Sequence, residues 1–184
     1  MTGWAVVQWT QAHQIGKIMK LKGPKLPPTG ITPDQHFRAL VDGDRQAEAV
    51  AFLAHALPRY ELIMWATRLL GAVRPDSERE GEDLRAIDIA RRWVRDPADE
   101  IRRQAWTMAD SMEESSPEKL LLNAIFMSGG SIAPEDLPPV HPPEETAAHL
   151  AGAAIALAAY NTPSPVSALA TALEMGENLA KRAG

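Results

Sequence analysis

Apolar residues recur along this chain at helical spacing, and strand-like alternation is nearly absent. In the segment 101–112, Ile101, Ala105, Met108 and Met112 fall at i, i+4, i+7 and i+11, the seam of a core-facing helix. Similar stripes predict helices over about 10–20, where Thr10 caps and Ile15, Ile18 and Met19 face inward, and over 32–40, where Thr32 caps and Pro33 suits the first turn. Further helices are predicted over 45–56, from Pro58 to about Gly71, and over 84–95, 98–112, 118–127, 144–160 and 164–181. The stretch 4–9, "WAVVQW", reads either as the start of the first helix or as a short strand. The expected fold is all-α: a single compact helical domain of about eight or nine helices.

The stretch "HALPRYELIMWATRLLGAVRP" (55–75) is apolar on two sides of a helix, as expected of an element surrounded by others. Its apolar run is too short for the roughly 20 residues of a bilayer span. It is therefore assigned to the centre of the core, with Tyr60, Met64 and Trp65 joined by Trp93 and Trp106 as the structural hub. Prolines set the remaining boundaries. Residues 10–128 read as the main helical domain behind an N-terminal segment 1–9. Residues 129–143 form a proline-rich linker, and 144–184 a C-terminal helical hairpin packed on the same domain. Within that hairpin, 146–173 holds 28 residues without a charge, eleven of them alanine, divided by "YNTPSP". Small residues let two helices approach closely, and an alternative use of this surface is to dock a partner or a second copy.

Charge narrows the function classes. A formal net charge of −5 argues against nucleic-acid binding, which needs many cations against phosphate. Four of the six lysines, Lys17, Lys20, Lys22 and Lys25, fall in the first 25 residues, which contain no Asp or Glu. Such an arm suits an acidic partner or the chain's own acidic body. The absence of cysteine removes disulfides, thiolate metal sites and cysteine nucleophiles. No basic segment precedes an apolar core at the N-terminus, so no signal peptide is expected and the location is read as cytoplasmic.

Candidate chemistry is thin. His13, His36 and His55 are scattered over three predicted helices, and only Glu145 with His149 stands at metal-ligand spacing, without a second paired motif. No G-x-S-x-G or phosphate-binding glycine loop occurs, and "SGGS" (128–131) reads as a flexible helix C-cap. The acidic runs "DSEREGED" and "MEESSPE" fall at loops and helix ends, where solvation accounts for them. No catalytic residue, metal ligand or cofactor is assigned.

Three segments, "FLAHALPRYELIMWA" (52–66), "WVRDPADEIRRQAW" (93–106) and "FMSGGSIAPEDLPPV" (126–140), together resemble an uncharacterised all-helical bacterial family. Its pattern is an FLAHALP segment leading into a tryptophan helix, a W-x3-P element with arginines, and an SGGS linker before prolines. The likeness runs from about Ala12 to Ala180 and carries no catalytic residues. It implies an accessory or adaptor role associated with type VI secretion gene neighbourhoods. The function expected is a non-enzymatic protein-interaction module. Its docking residues are expected to be Trp4 and Trp9, as aromatic anchors, with Lys17, Lys20, Lys22 and Lys25. A toxin-neutralising immunity protein and an enzyme with an unrecognised site are the competing readings.

Overall fold

The computed structural model describes residues 3–112 and 116–181. Among these, nine α-helices and no strand are formed. The first three are α1 (Ala12–Ile18), α2 (Pro33–Asp42) and α3 (Gln46–Ala56), followed by α4 (Arg59–Val73), α5 (Gly81–Arg95) and α6 (Asp99–Ser111). The last three are α7 (Pro117–Met127), α8 (Thr146–Tyr160) and α9 (Pro165–Lys181). Local chemistry explains three of the helix starts directly. Thr32 Oγ1 accepts from Gln35 N while Gln35 Oε1 accepts from Thr32 N, a reciprocal cap followed by Pro33. Ser116 Oγ accepts from Lys119 N ahead of Pro117. In α1 the cap is Gln11 rather than Thr10, because Gln14 Oε1 reaches back to Gln11 N at 2.9 Å.

The core is organised around α8, which packs against α3, α4, α7 and α9. An alanine-rich helix suits that position, since its neighbours must approach closely from several sides. Gly152 takes this furthest: a Cβ there would stand 3.3 Å from Ala54 Cβ on α3. The uncharged stretch is thus largely interior along α8, although His149, Ala153 and Tyr160 keep one stripe of the helix exposed.

Helix α4 is the second pillar. Leu62, Ile63, Trp65, Ala66, Leu69 and Leu70 are all buried, and α4 contacts α5, α7, α8 and α9. Trp65 is fully enclosed; its indole N–H donates to Ala172 O on α9 at 2.8 Å. That bond satisfies a polar atom the core would otherwise strand. Trp93 is buried and Met64 half-buried against the same core.

Two hub assignments need correction. Trp106 is 43% exposed, because α6 buries the face formed by Arg102, Ala105 and Ala109, and Trp106 sits at its edge. Tyr60 is 40% exposed; its hydroxyl donates to Val94 O at 3.0 Å at the rim of the core. The opposite correction applies at the N-terminus. Residues 3–9 form neither helix nor strand, yet Trp4 is only 9% exposed and packs edge-on against Phe37 at 5.2 Å. Val6 N donates to Ala180 O near the end of α9. Residues 1 and 2 of that segment, and the acidic Glu113 and Glu114, lie outside the described residues.

Candidate functional site

The three segments singled out in the sequence meet at one place, the C-terminal end of α7. A helix ends with carbonyls that lack intrahelical donors. Here arginines from other helices supply them. Arg102 on α6 donates through Nη1 to Phe126 O at 2.8 Å and through Nη2 to Ser131 O at 2.8 Å, while its Nε holds Asp99 Oδ1 at 2.7 Å. Its guanidinium carbon also lies 5.0 Å from the centre of the Phe126 ring. Arg103 Nη1 reaches Ala133 O at 3.2 Å and Arg59 Nη1 reaches Ser128 O at 3.0 Å. A planar fork with five donors can serve separate carbonyls at once, which a lysine ammonium cannot do in this geometry.

Gly130 makes the clamp possible. It adopts φ +65°, and a Cβ there would meet Arg102 Nη2 at 3.0 Å. Beyond it the chain closes on itself: Ile132 N donates to Val140 O at 2.8 Å, and Ser131 Oγ accepts from both Ala133 N and Val140 N. Residues 131–140 thus form a loop whose ends meet, of the compact kind often used for recognition. The SGGS segment is pinned rather than flexible. The guanidinium beside Asp99 holds its carboxyl below the ordinary range, Arg102 contributing first and Arg103 adding to it.

The clamped loop presents apolar groups to solvent. Leu137 is 55% exposed and Val140 is similarly open, although neither is needed to fill the core. On the adjoining helix, Trp106 lies flat on Phe126, with ring centres 4.9 Å apart and planes 28° off parallel. Glu135 and Asp136 stand exposed between Ala133 and Leu137, and Glu135 also faces Arg103 Nε at 3.5 Å. Trp106, Leu137 and Val140 are thus apolar groups left in solvent by the elements that the clamp ties together, with Glu135 and Asp136 exposed beside Leu137.

Residues 36–180 match the model of DUF6931, a family of unknown function. The chain belongs to that family. No curated protein matches the chain. No solved structure matches it either. The family match contains the whole clamp, from Arg59 to His141, whose ring Nδ1 lies 3.2 Å from Gly130 O. Trp4, Trp9 and the four N-terminal lysines precede it.

The structure disperses those N-terminal residues. Trp4 is in the core and Trp9 is half-buried against it, so the pair is not a free aromatic anchor. Lys20 pairs with Glu145 at the start of α8, so one lysine of the arm meets the chain's own acid. Lys17, Lys22 and Lys25 are exposed. His55 and His149 approach edge to face at 4.6 Å, but the described residues include no group of three metal-ligating side chains. His55 is buried, with Nδ1 2.7 Å from Ala51 O; burial is the main cause that pushes its pKa down, and His149 pushes the same way.

Sequence reading missed a buried ion pair. Arg79 lies in the run "DSEREGED" and Glu118 in the first turn of α7, both assigned to solvated positions. Instead the Arg79 side chain is fully enclosed and Glu118 is 2% exposed, with Arg79 Nε 3.0 Å from Glu118 Oε1. Arg79 also donates to Leu70 O and Arg74 O, capping the end of α4. These partners lie far apart in the chain, and no local pattern marks them.

Proposed function

We propose that this DUF6931 member is a non-enzymatic protein-interaction module that docks a partner through Trp106, Leu137 and Val140. The observation that carries this reading is the clamp itself. Buried Arg102, with Arg103 and Arg59, holds a loop whose apolar residues point away from the core. A pre-ordered loop loses little freedom on association, and tryptophan anchors contribute disproportionately to interface affinity. The acidic rim of Glu135 and Asp136 selects a partner with basic residues around an apolar centre. An accessory or adaptor role in type VI secretion, which the family resemblance implies, gives such a partner a place among secretion-system components.

The test uses the full chain in its own cells, with a photo-crosslinking residue at position 137. One secretion-system component should be captured, and Trp106→Ser or Leu137→Asp should reduce its capture at least about tenfold, the effect of losing one interface hot spot. Melting temperatures of the variants should stay near that of the parent. Capture that survives both substitutions defeats the proposal. Capture of a toxin whose activity the chain abolishes replaces the adaptor role with immunity.

A further inference from the structure

Between α7 and α8 the chain runs through "LPPVHPP" (137–143), where four of seven residues are proline. A proline ring fixes its own φ near about −65° and keeps the residue before it out of the helical region. Leu137, Pro138, Pro139, His141, Pro142 and Pro143 are each set by one of those two effects. Val140, the residue left over, is held from outside. Its N–H donates to Ser131 Oγ at 3.0 Å, and its carbonyl accepts from Ile132 N at 2.8 Å. Residues 138–143 form neither helix nor strand, and the prolines set them as extended polyproline II backbone lashed to the clamped loop.

Polyproline II backbone turns once in three residues, with a rise of about 9 Å per turn. In that geometry Leu137, Val140 and Pro143 share one edge, and all three are exposed. The remaining edges are partly engaged: Pro142 is half-buried, and the His141 ring Nδ1 lies 3.2 Å from Gly130 O. The carbonyls of Pro138, Pro139, His141 and Pro142 accept no hydrogen bond among the described residues, so acceptors lie open beside the apolar ridge. A surface matching that ridge needs apolar slots one turn apart with donors at their rims. Tryptophan and tyrosine supply both, an apolar ring carrying an N–H or O–H. Charge selects further. Glu135 and Asp136 precede the strand and Glu144 follows it, all exposed, while no lysine or arginine occurs between Lys119 and Lys181. Anionic membranes and nucleic acids are repelled by such flanks, and a groove with basic ends is favoured.

We infer that the protein partner takes the strand from Leu137 to Pro143 into an aromatic groove with basic ends. Tryptophan or tyrosine rings of that groove seat Leu137, Val140 and Pro143 and donate to the open proline carbonyls, while its lysines or arginines face Glu135, Asp136 and Glu144. A strand already set by its prolines and by Ser131 gives up little freedom on binding. This rests on the docking role proposed for Leu137 and Val140 and adds the chemistry of the surface that receives them.

The test uses the full chain in its own cells, with a photo-crosslinking residue at position 140. Tandem mass spectrometry of the adduct should place the attachment among surface tryptophan or tyrosine side chains of a partner domain. Pro138→Leu with Pro139→Leu keeps the apolar area but restores two N–H groups and the backbone freedom, and should lower capture at least about tenfold. Amide exchange at Ala133 should match the parent in that variant; if the loop loses its protection, the site of attachment decides the matter alone. Capture that the leucine pair leaves intact while Leu137→Asp abolishes it overturns the aromatic groove and leaves the docking surface standing. Capture indifferent to both changes overturns the two together. Attachment to lipid, to nucleic acid or to a protein face without aromatic side chains also overturns the inference.

Discussion

Gly176→Ala is the sharpest probe of how this core is assembled. On an isolated helix the change stabilises by about 0.8–1 kcal/mol, since alanine is the better helix former. In α9 the added Cβ would stand 2.7 Å from Leu53 Cδ2, 2.7 Å from Trp65 Cε2 and 2.8 Å from Trp65 Cζ2. Carbon pairs rest at about 3.5–4.0 Å, so the indole or the helix must yield by almost an ångström. The indole is poorly placed to do so, being fully enclosed and tied to Ala172 O by its own N–H. Overpacking of this kind costs about 1–3 kcal/mol, and stranding the buried N–H would add about 1–3 kcal/mol. With the propensity gain subtracted, the net loss is about 1–5 kcal/mol. At roughly 2–4 °C per kcal/mol for a chain of this size, thermal melting resolves it readily. Two companions sharpen the experiment. Gly71→Ala, whose Cβ would meet only Arg91 Nη2 at 3.5 Å, should stabilise α4 by up to about 1 kcal/mol. Trp65→Phe should cost less in the Gly176→Ala background than alone, by about 0.5–3 kcal/mol of coupling. A Gly176→Ala protein as stable as its parent would refute the close α4–α9 contact.

Other outcomes follow from the charged interior. Arg79→Met should lose about 3–5 kcal/mol in urea unfolding, because Glu118 is left buried and unpaired, whereas Arg79→Met with Glu118→Leu should recover most of that loss. Equal instability of single and double variants would mean that the arginine acts by capping α4 alone. Arg102→Met should speed amide hydrogen exchange at Ala133 and Val140 well before global unfolding, and unchanged protection would show that the loop holds itself. Burial lowers the His55 pKa in the folded chain, so the unfolded chain binds the extra proton in the window just below its ordinary value of about 6.5. Stability should therefore be full above that pH and decline as pH falls through it, with a smaller decline in His55→Gln. His36 is shifted the same way, burial first and Arg45 second, so His36→Gln should lessen the decline further. A pH profile identical in the parent and both variants would assign the acid sensitivity to other groups.

The helices were legible in the chain because their signals are local. The 3.6-residue stripe of α6, the Thr32 cap before Pro33 and the Ser116 cap before Pro117 each act within a turn or two of backbone, so a short window contains their whole cause. The apolar surplus of α4 likewise marked it as surrounded, since no other environment repays burying two sides of a helix. Which edge of a helix meets solvent was decided elsewhere. Trp106 and Trp93 are the same residue type on neighbouring helices, yet one is half-exposed and the other buried, because Trp93 lies on the buried face of α5 while Trp106 sits at the edge of the buried face of α6, with only one ring face covered by Phe126. The fates of the charges were least local of all. Arg79 reads as one more polar residue in an acidic loop until α7 brings Glu118 to it across 39 positions, and Arg102 reads as a surface arginine until it reaches Ser131 across 29. An arginine carries its charge at the end of a long, flexible stem, so its sequence neighbours do not determine its partner. Only the packed arrangement of α4, α6 and α7 could turn those two side chains inward, where desolvation makes a carbonyl or a carboxylate worth holding.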